Sequence, residues 1–211
     1  MSDLQCPATM LVARHGDAGY AADGVQSDDD GALTDKGRDE VRHLVEQVRS
    51  RRVAAVYSSQ MGRAVESAEL AASELGLHSV AVDGLQEFSV GDLAGVSFDD
   101  GRAQQVFDAW LHGDLAAACP GAEDGHAVVT RFKGAIDEIA DSHRGETVLV
   151  FTHGGTMSLA IPRLSVNLRN DLAVQQFLPS CVAAEIEVDA DGWRFVTWPG
   201  ATDTAIDQIT S

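Results

Sequence analysis

Two short apolar runs, residues 9–13 and 147–151, each break off into a polar turn carrying histidine and glycine. This repeated junction limits what the chain can fold into. Neither run alternates with polar residues, so both read as strands buried on two faces, the kind found inside mainly parallel sheets. The first leads into Arg14-His15-Gly16 and the second into Thr152-His153-Gly154-Gly155. Open α/β sheets place their ligand crevice at the carboxyl ends of strands, so both histidines fall where a site would form.

The intervening sequence supplies the helices such a sheet needs. Thr34 precedes Val41, Leu44, Val45 and Val48 at helical spacing and serves as an N-cap. Residues 53–57 and 79–82 read as further strands, and 61–75 as a helix closed by Gly76. A helix of weaker periodicity is expected over 98–111. A clearer one is expected over 126–143, with Val129, Phe132, Ile136 and Ile139 on one face and Asp124 as cap. A short helix from Thr156 follows the second histidine. Near the end, 182–188 and 193–198 flank the turn Asp189-Ala190-Asp191-Gly192 as a hairpin. The expected fold class is α/β, a three-layer sandwich with a mainly parallel central sheet and an antiparallel final hairpin, built as a single domain over 1–211.

Charge narrows the partners. With 15 basic and 33 acidic residues the formal charge is −18, which disfavours nucleic acid and anionic membrane surfaces. Any phosphate site must therefore be locally basic. Cys6, Cys119 and Cys181 are too few and too scattered for a disulfide framework or a zinc cluster, and read as buried thiols in a reducing compartment. No apolar run approaches the ~20 residues that span a bilayer. The start, Met1-Ser2-Asp3-Leu4-Gln5, lacks a basic secretory n-region, so a cytoplasmic location is expected. Asp28-Asp29-Asp30 lies in a loop running to about Leu33 and lacks the spacing of a calcium loop. His43, His78, His112, His126 and His143 share no ligand spacing and read as surface residues. No metal and no cofactor are expected, and the oligomeric state stays open, with a homodimer among the options.

Phosphoryl transfer without a metal needs a nucleophile, fixed positive charge around the phosphate oxygens, and an acid for the leaving group. Here His15 can attack phosphorus as a neutral imidazole while its other nitrogen is held by an acceptor. Arg14 and Arg63 offer planar donor forks matched to phosphate. His153 can add a donor, charged if a bound dianion raises its pKa, and Glu87 can protonate the departing oxygen.

These residues sit in segments that together resemble the histidine phosphatase superfamily, in the phosphoglycerate mutase-like branch. Leu11-Val12-Ala13-Arg14-His15-Gly16-Asp17 is similar to that family's nucleophile motif, Leu33-Thr34-Asp35-Lys36-Gly37-Arg38 to the start of its first helix, and Ser58-Ser59-Gln60-Met61-Gly62-Arg63-Ala64 to its second-arginine motif. Leu85-Gln86-Glu87-Phe88 through Gly91-Asp92-Leu93-Ala94-Gly95 is similar to its acid segment, and Phe151-Thr152-His153-Gly154-Gly155 to its second-histidine motif. The resemblance covers roughly residues 9 to 165 in the family's order. It implies a phosphohistidine intermediate at His15, phosphate contacts from Arg14, Arg63, His153 and Gly154, and proton transfer by Glu87.

Two stretches depart from the family's pattern. The mutase subgroup carries a threonine and an asparagine soon after the nucleophile motif, where this chain reads Asp17-Ala18-Gly19-Tyr20, leaving one phosphate contact without its usual donor. The turn before the later helix reads Gly121-Ala122-Glu123-Asp124, in which Asp124 can still cap. Between Arg63 and Arg131 the only Arg or Lys is Arg102, so a second phosphate or carboxylate would find few cations unless Arg163 or Arg169 folds inward. The reading is net hydrolysis of a small phosphomonoester whose distal part is neutral or cationic. The alternatives are a protein phosphohistidine phosphatase, a phosphoglycerate mutase-type phosphotransferase, and a phospholigand-binding module without turnover.

Overall fold

The computed structural model describes residues 6–20, 24–28, 31–167 and 178–198. In chain order its strands are β1 (Ala8–Arg14), β2 (Ala18–Gly19), β3 (Ala32–Leu33), β4 (Val53–Ser58), β5 (Ser79–Ala81), β6 (Thr147–Thr152), β7 (Ala183–Asp189) and β8 (Gly192–Thr197). Its helices are α1 (Asp35–Val48), α2 (Gly62–Leu75), α3 (Arg102–Leu111), α4 (Gly125–Ser142) and α5 (Gly154–Leu164).

Period-two burial along β1 and β6 sets the layers. Met10, Val12, Val148 and Val150 enter one core with Phe132, Ile136, Met157 and Ile161 of α4 and α5. Leu11, Ala13, Leu149 and Phe151 enter a second core with Val41, Leu44 and Val45 of α1 and the alanines 64, 68, 71 and 72 of α2. A strand covered on both sides has no polar face to show, which is why these runs lack alternation. The fold is thus α/β, with a six-stranded central sheet in the order β5-β4-β6-β1-β7-β8. Pairs β4·β5, β4·β6 and β1·β6 are parallel, whereas β7 runs antiparallel to β1 and β8 antiparallel to β7.

Helix ends follow local chemistry. Thr34 accepts from the Gly37 N–H at the start of α1, and Asp124 accepts from the Ala127 N–H at the start of α4. Gly76, at φ 72°, closes α2 in the left-handed conformation.

Several expectations need correction. The segment 98–111 divides into a 3₁₀ turn, Phe98–Asp100, and α3, because Gly101 at φ 74° interrupts the helical backbone. Helix α5 begins at Gly154 rather than Thr156, its glycines drawn into the first turn despite their low helix propensity. On α4 the buried face includes Val128, and Val129 is only partly buried. The loop after His15 contains the small antiparallel pair β2·β3. Cys6 is exposed, unlike buried Cys119 and Cys181. His143 is half-buried, with Nε2 3.0 Å from the Tyr57 hydroxyl and Nδ1 2.7 Å from Glu146.

Candidate active site

The carboxyl ends of β1, β4 and β6 lie side by side. Arg14 pairs in register with Thr152, and Ser58 with Phe151. Main-chain bonds extend the ladder one step further, with His15 N–H donating to the Thr152 carbonyl and Ser59 N–H to that of Phe151, at 2.9 and 3.0 Å. Sheet register therefore carries His15, Ser59 and His153 to one edge. The rings of His15 and His153 are 5.2 Å apart between centroids.

His15 is 3% exposed and its hydrogen bonds define its tautomer. Nδ1 faces the Gly16 carbonyl at 2.7 Å, and a carbonyl only accepts, so this nitrogen carries the proton. Arg63 Nε donates to His15 Nε2 at 3.0 Å, which leaves that nitrogen as the lone-pair atom. Burial, reinforced by Arg63 and Arg14 against the opposing Gly16 bond, lowers the His15 pKa to about 3. The imidazole is neutral over the physiological range.

His153 is fully buried, and its Nε2 shares a 2.7 Å hydrogen bond with the Ser59 hydroxyl. Its Nδ1 is buried with no hydrogen-bond partner. A buried orphan polar atom is costly in the absence of a ligand. Burial, then the charges of Arg63, His15 and Arg14, hold its pKa well below the ordinary value. The unliganded pair is therefore uncharged.

Arg63 lies in the first turn of α2, after β4, and is 5% exposed, with its guanidinium 5.4 Å from the centroid of the Tyr20 ring. Ser67, one turn further along α2, accepts the Gly16 N–H at 3.1 Å while donating to the Arg63 carbonyl at 2.7 Å. That hydroxyl couples the loop bearing His15 to the helix bearing Arg63. On the other side of the loop, Asp17 N–H donates to Glu40, and the Asp17 carboxylate accepts from Thr34. Gly37 must lack a side chain, since a Cβ there would lie 2.1 Å from the Asp17 carbonyl oxygen.

Glu87 lies at the start of α5. Oε2 accepts from Gly155 N–H at 2.9 Å, and Oε1 accepts from Thr156 N–H at 2.7 Å and the Thr156 hydroxyl at 2.9 Å. This is the favoured end of a helix for a carboxylate. A Cβ on Gly155 would come 2.4 Å from the Phe88 ring and 2.9 Å from Glu87 Oε1, which explains a glycine within the first turn. Arg131 on α4 supports the same segment from behind, donating to the carbonyls of Gly84 and Gln86 at 2.9 and 2.7 Å while gripping Glu123 with Nε and Nη2.

Arg14, His15, Arg63, Glu87 and Gly154 all border one cleft of about 510 Å³. The residues expected from the sequence to act together are thus together, with His153 beside His15. Sequence reasoning missed Ser59, Ser67 and Arg131 as contributors. Asp28 is also more than a solvated loop residue, since it accepts from the Ser89 hydroxyl and Val90 N–H. Asp29, Asp30 and Arg169 lie outside the described residues. Arg163 does not reach the cleft, its guanidinium donating to the carbonyls of Leu159 and Trp110. Among the described residues no group of three His, Cys, Asp or Glu side chains is placed to hold a metal ion.

A family model described as the histidine phosphatase superfamily, branch 1, matches residues 10–200. The chain is 28% identical over 197 residues to phosphoglycerate mutase-like protein 4 of Arabidopsis thaliana, covering 90% of this chain and 84% of that one. It is also 28% identical over 162 residues to a metal-independent phosphoserine phosphatase of the same plant, covering 74% and 68%. Among solved structures, Bacillus stearothermophilus YhfR superposes with a TM-score of 0.77 at 26% identity, over 92% of this chain and 98% of that one. A mycobacterial glucosyl-3-phosphoglycerate phosphatase, with a TM-score of 0.75 at 21% identity over 93% and 99%, shares the fold.

Proposed function

The chain belongs to the histidine phosphatase superfamily, branch 1, and on that premise we propose that it hydrolyses a small phosphomonoester in two steps through His15. One observation carries the reading. A buried, neutral imidazole presents its lone-pair nitrogen to an arginine fork at the floor of a cleft whose other contacts suit phosphate.

In the first step His15 Nε2 attacks phosphorus in line with the ester oxygen. The N–P bond forms as the P–O bond to the organic group breaks, and Glu87, which enters this step as the carboxylic acid after taking up a proton with the substrate, delivers that proton to the departing alkoxide. In the second step Glu87 accepts a proton from water, water oxygen bonds to phosphorus, and the N–P bond breaks to restore neutral His15. Arg63 exchanges its bond to Nε2 for phosphate oxygens, a trade of a neutral acceptor for a charged one. Arg14 and the main chain at Gly154 complete the cradle.

Ser59 gives His153 its role. Met61 N–H donates to the Ser59 oxygen at 3.3 Å, so the Ser59 proton can go to His153 Nε2. The ring proton then resides on Nδ1, the atom without a protein partner, and becomes a donor to a non-bridging oxygen.

Hydrolysis rather than mutase chemistry is supported by the cation census. Among the described residues, Arg14 and Arg63 are the basic side chains bordering the cleft. Arg102 pairs with Asp100, and Arg131 with Glu123. Three unpaired thiols support a reducing, cytoplasmic setting, and among the described residues no helix is long and apolar enough to cross a membrane. We read residues 1–211 as one catalytic unit.

The test is phosphate release from a panel of phosphorylated metabolites by purified, chelator-treated protein. Hydrolysis of at least one metabolite is expected, with His15→Ala reducing it about 10³-fold or more. No hydrolysis across the panel, undiminished hydrolysis by His15→Ala, or robust phosphoglycerate mutase activity would overturn the proposal.

A further inference from the structure

Beyond its phosphate floor, the cleft is walled mainly by carbon. Tyr20, Val25, Phe88, Val90, Phe98 and Phe107 line it. The remaining polar side chains of this wall, Gln26, Ser27 and Gln104, are uncharged. Two carboxylates stand close behind, Asp28 bound to Ser89 and Val90 and Asp108 bound to the Gln104 amide. Among the described residues no basic side chain other than Arg14 and Arg63 borders the cleft, so an anionic group on the substrate's distal part would enter against these charges.

The aromatic part of the wall is assembled before any ligand arrives. Phe107 stacks on Phe88 with centroids 5.6 Å apart and planes 12° from parallel. Phe88 meets Trp110 edge-on at 4.9 Å, and Trp110 is anchored by its indole N–H to the Ala117 carbonyl at 2.7 Å. Across the cleft, the segment bearing Phe98 is laced to the segment bearing Val25. Gln26 N–H donates to the Val96 carbonyl, Gly95 N–H to that of Gln26, and Phe98 N–H to that of Gly24. Phe98 is nonetheless 56% exposed. A large apolar ring held in the open at the mouth of a cleft leaves burial free energy to be gained by a ligand. A pre-assembled wall also loses little side-chain entropy when that ligand binds.

We infer that this site, read as a phosphatase as above, selects monoesters whose organic part is uncharged and apolar, about one or two rings in size, seated on the Phe88–Phe107 pair and under Phe98. Phe107 is the main specificity-determining residue. The cleft volume of about 510 Å³ accommodates such a group together with the phosphate.

The test compares kcat/KM for four primary alkyl monoesters, 3-phenylpropyl phosphate, glycerol 3-phosphate, 3-phosphoglycerate and phosphoethanolamine, so that all share an alkoxide leaving group. The phenylpropyl ester is expected to lead by about 10²-fold, chiefly through a lower KM. Phe107→Ala should shrink that lead about tenfold, and the wild-type series stands even if the variant does not fold. Equal or better kcat/KM on any of the other three, with hydrolysis still dependent on His15, overturns this inference and leaves the phosphatase reading intact. Absence of His15-dependent hydrolysis on all four, together with failure of the wider metabolite panel, overturns both.

Discussion

The nucleophilic role proposed for His15 rests on burial and needs no activating base. Its proton is committed to the Gly16 carbonyl and its lone pair faces Arg63, so burial and nearby cations keep the ring neutral. The same burial has a cost that depends on pH. The folded pKa of His15, about 3, lies below the ordinary 6.5, so the unfolded chain binds a proton that the folded protein refuses. His15 therefore does not weaken the fold above pH 6.5, where both states are neutral, and stability falls as pH drops from there toward 3. His153 acts in the same direction. Urea midpoints at about pH 7.5 and about pH 5 should show a loss on the order of 2 kcal/mol as the share of His15, with His153 adding to it in the same direction. His15→Asn should remove that share, and an unchanged decline in that variant would contradict the assignment. That His15, Arg14 and Arg63 would border one cleft was legible from residue types close to strand ends. Ser59 was not, because its partner His153 is 94 positions away and a serine in a turn carries no mark of what it will touch.

At the scale of elements, strands were easier to locate than the first turns of helices. Buried runs such as β1 and β6 declare themselves by composition, whereas Gly154 and Gly155 read as loop. The structure supplies what the sequence pattern lacks. Glu87 accepts their turn's N–H groups, and Phe88 packs where any larger side chain at position 155 would collide. Gly101 works in the opposite sense, breaking a helix that periodicity alone would continue. The same reasoning makes α4 part of the site, since Arg131 holds two carbonyls of the segment ending in Glu87, 45 and 47 residues distant. On the proposed mechanism Arg131 is a positioning residue, and its loss should imitate a weakened acid. Glu87→Gln is expected to lower kcat by about 10²–10⁴-fold on alkyl phosphates while sparing activated aryl phosphates. Arg131→Gln should show the same selectivity for poor leaving groups at smaller magnitude. Equal losses on both substrate types would count against the acid role of Glu87 and against the support given by Arg131.

For the whole molecule, the sheet order explains why distant motifs converge. β1 and β6 are neighbours, β4 flanks β6, and all three end at one edge, so two loops from the first third of the chain and one from the last third meet there. The acidic surface expected from a charge of −18 leaves this edge as a local concentration of positive charge from Arg14 and Arg63. Parallel order could be inferred from the alternation of strands and helices. The aromatic wall could not, because Phe88, Phe98 and Phe107 belong to a connecting segment whose path depends on contacts with residues 24–28 and with α4. The central claim is covalent, and the measurement that tests it most directly is rapid-quench labelling. Wild-type protein mixed with a ³²P-labelled monoester, quenched in alkali within milliseconds and digested, should yield an acid-labile phosphohistidine on the peptide containing His15. Turnover with the label on another residue, or an identical label in His15→Ala, would contradict it.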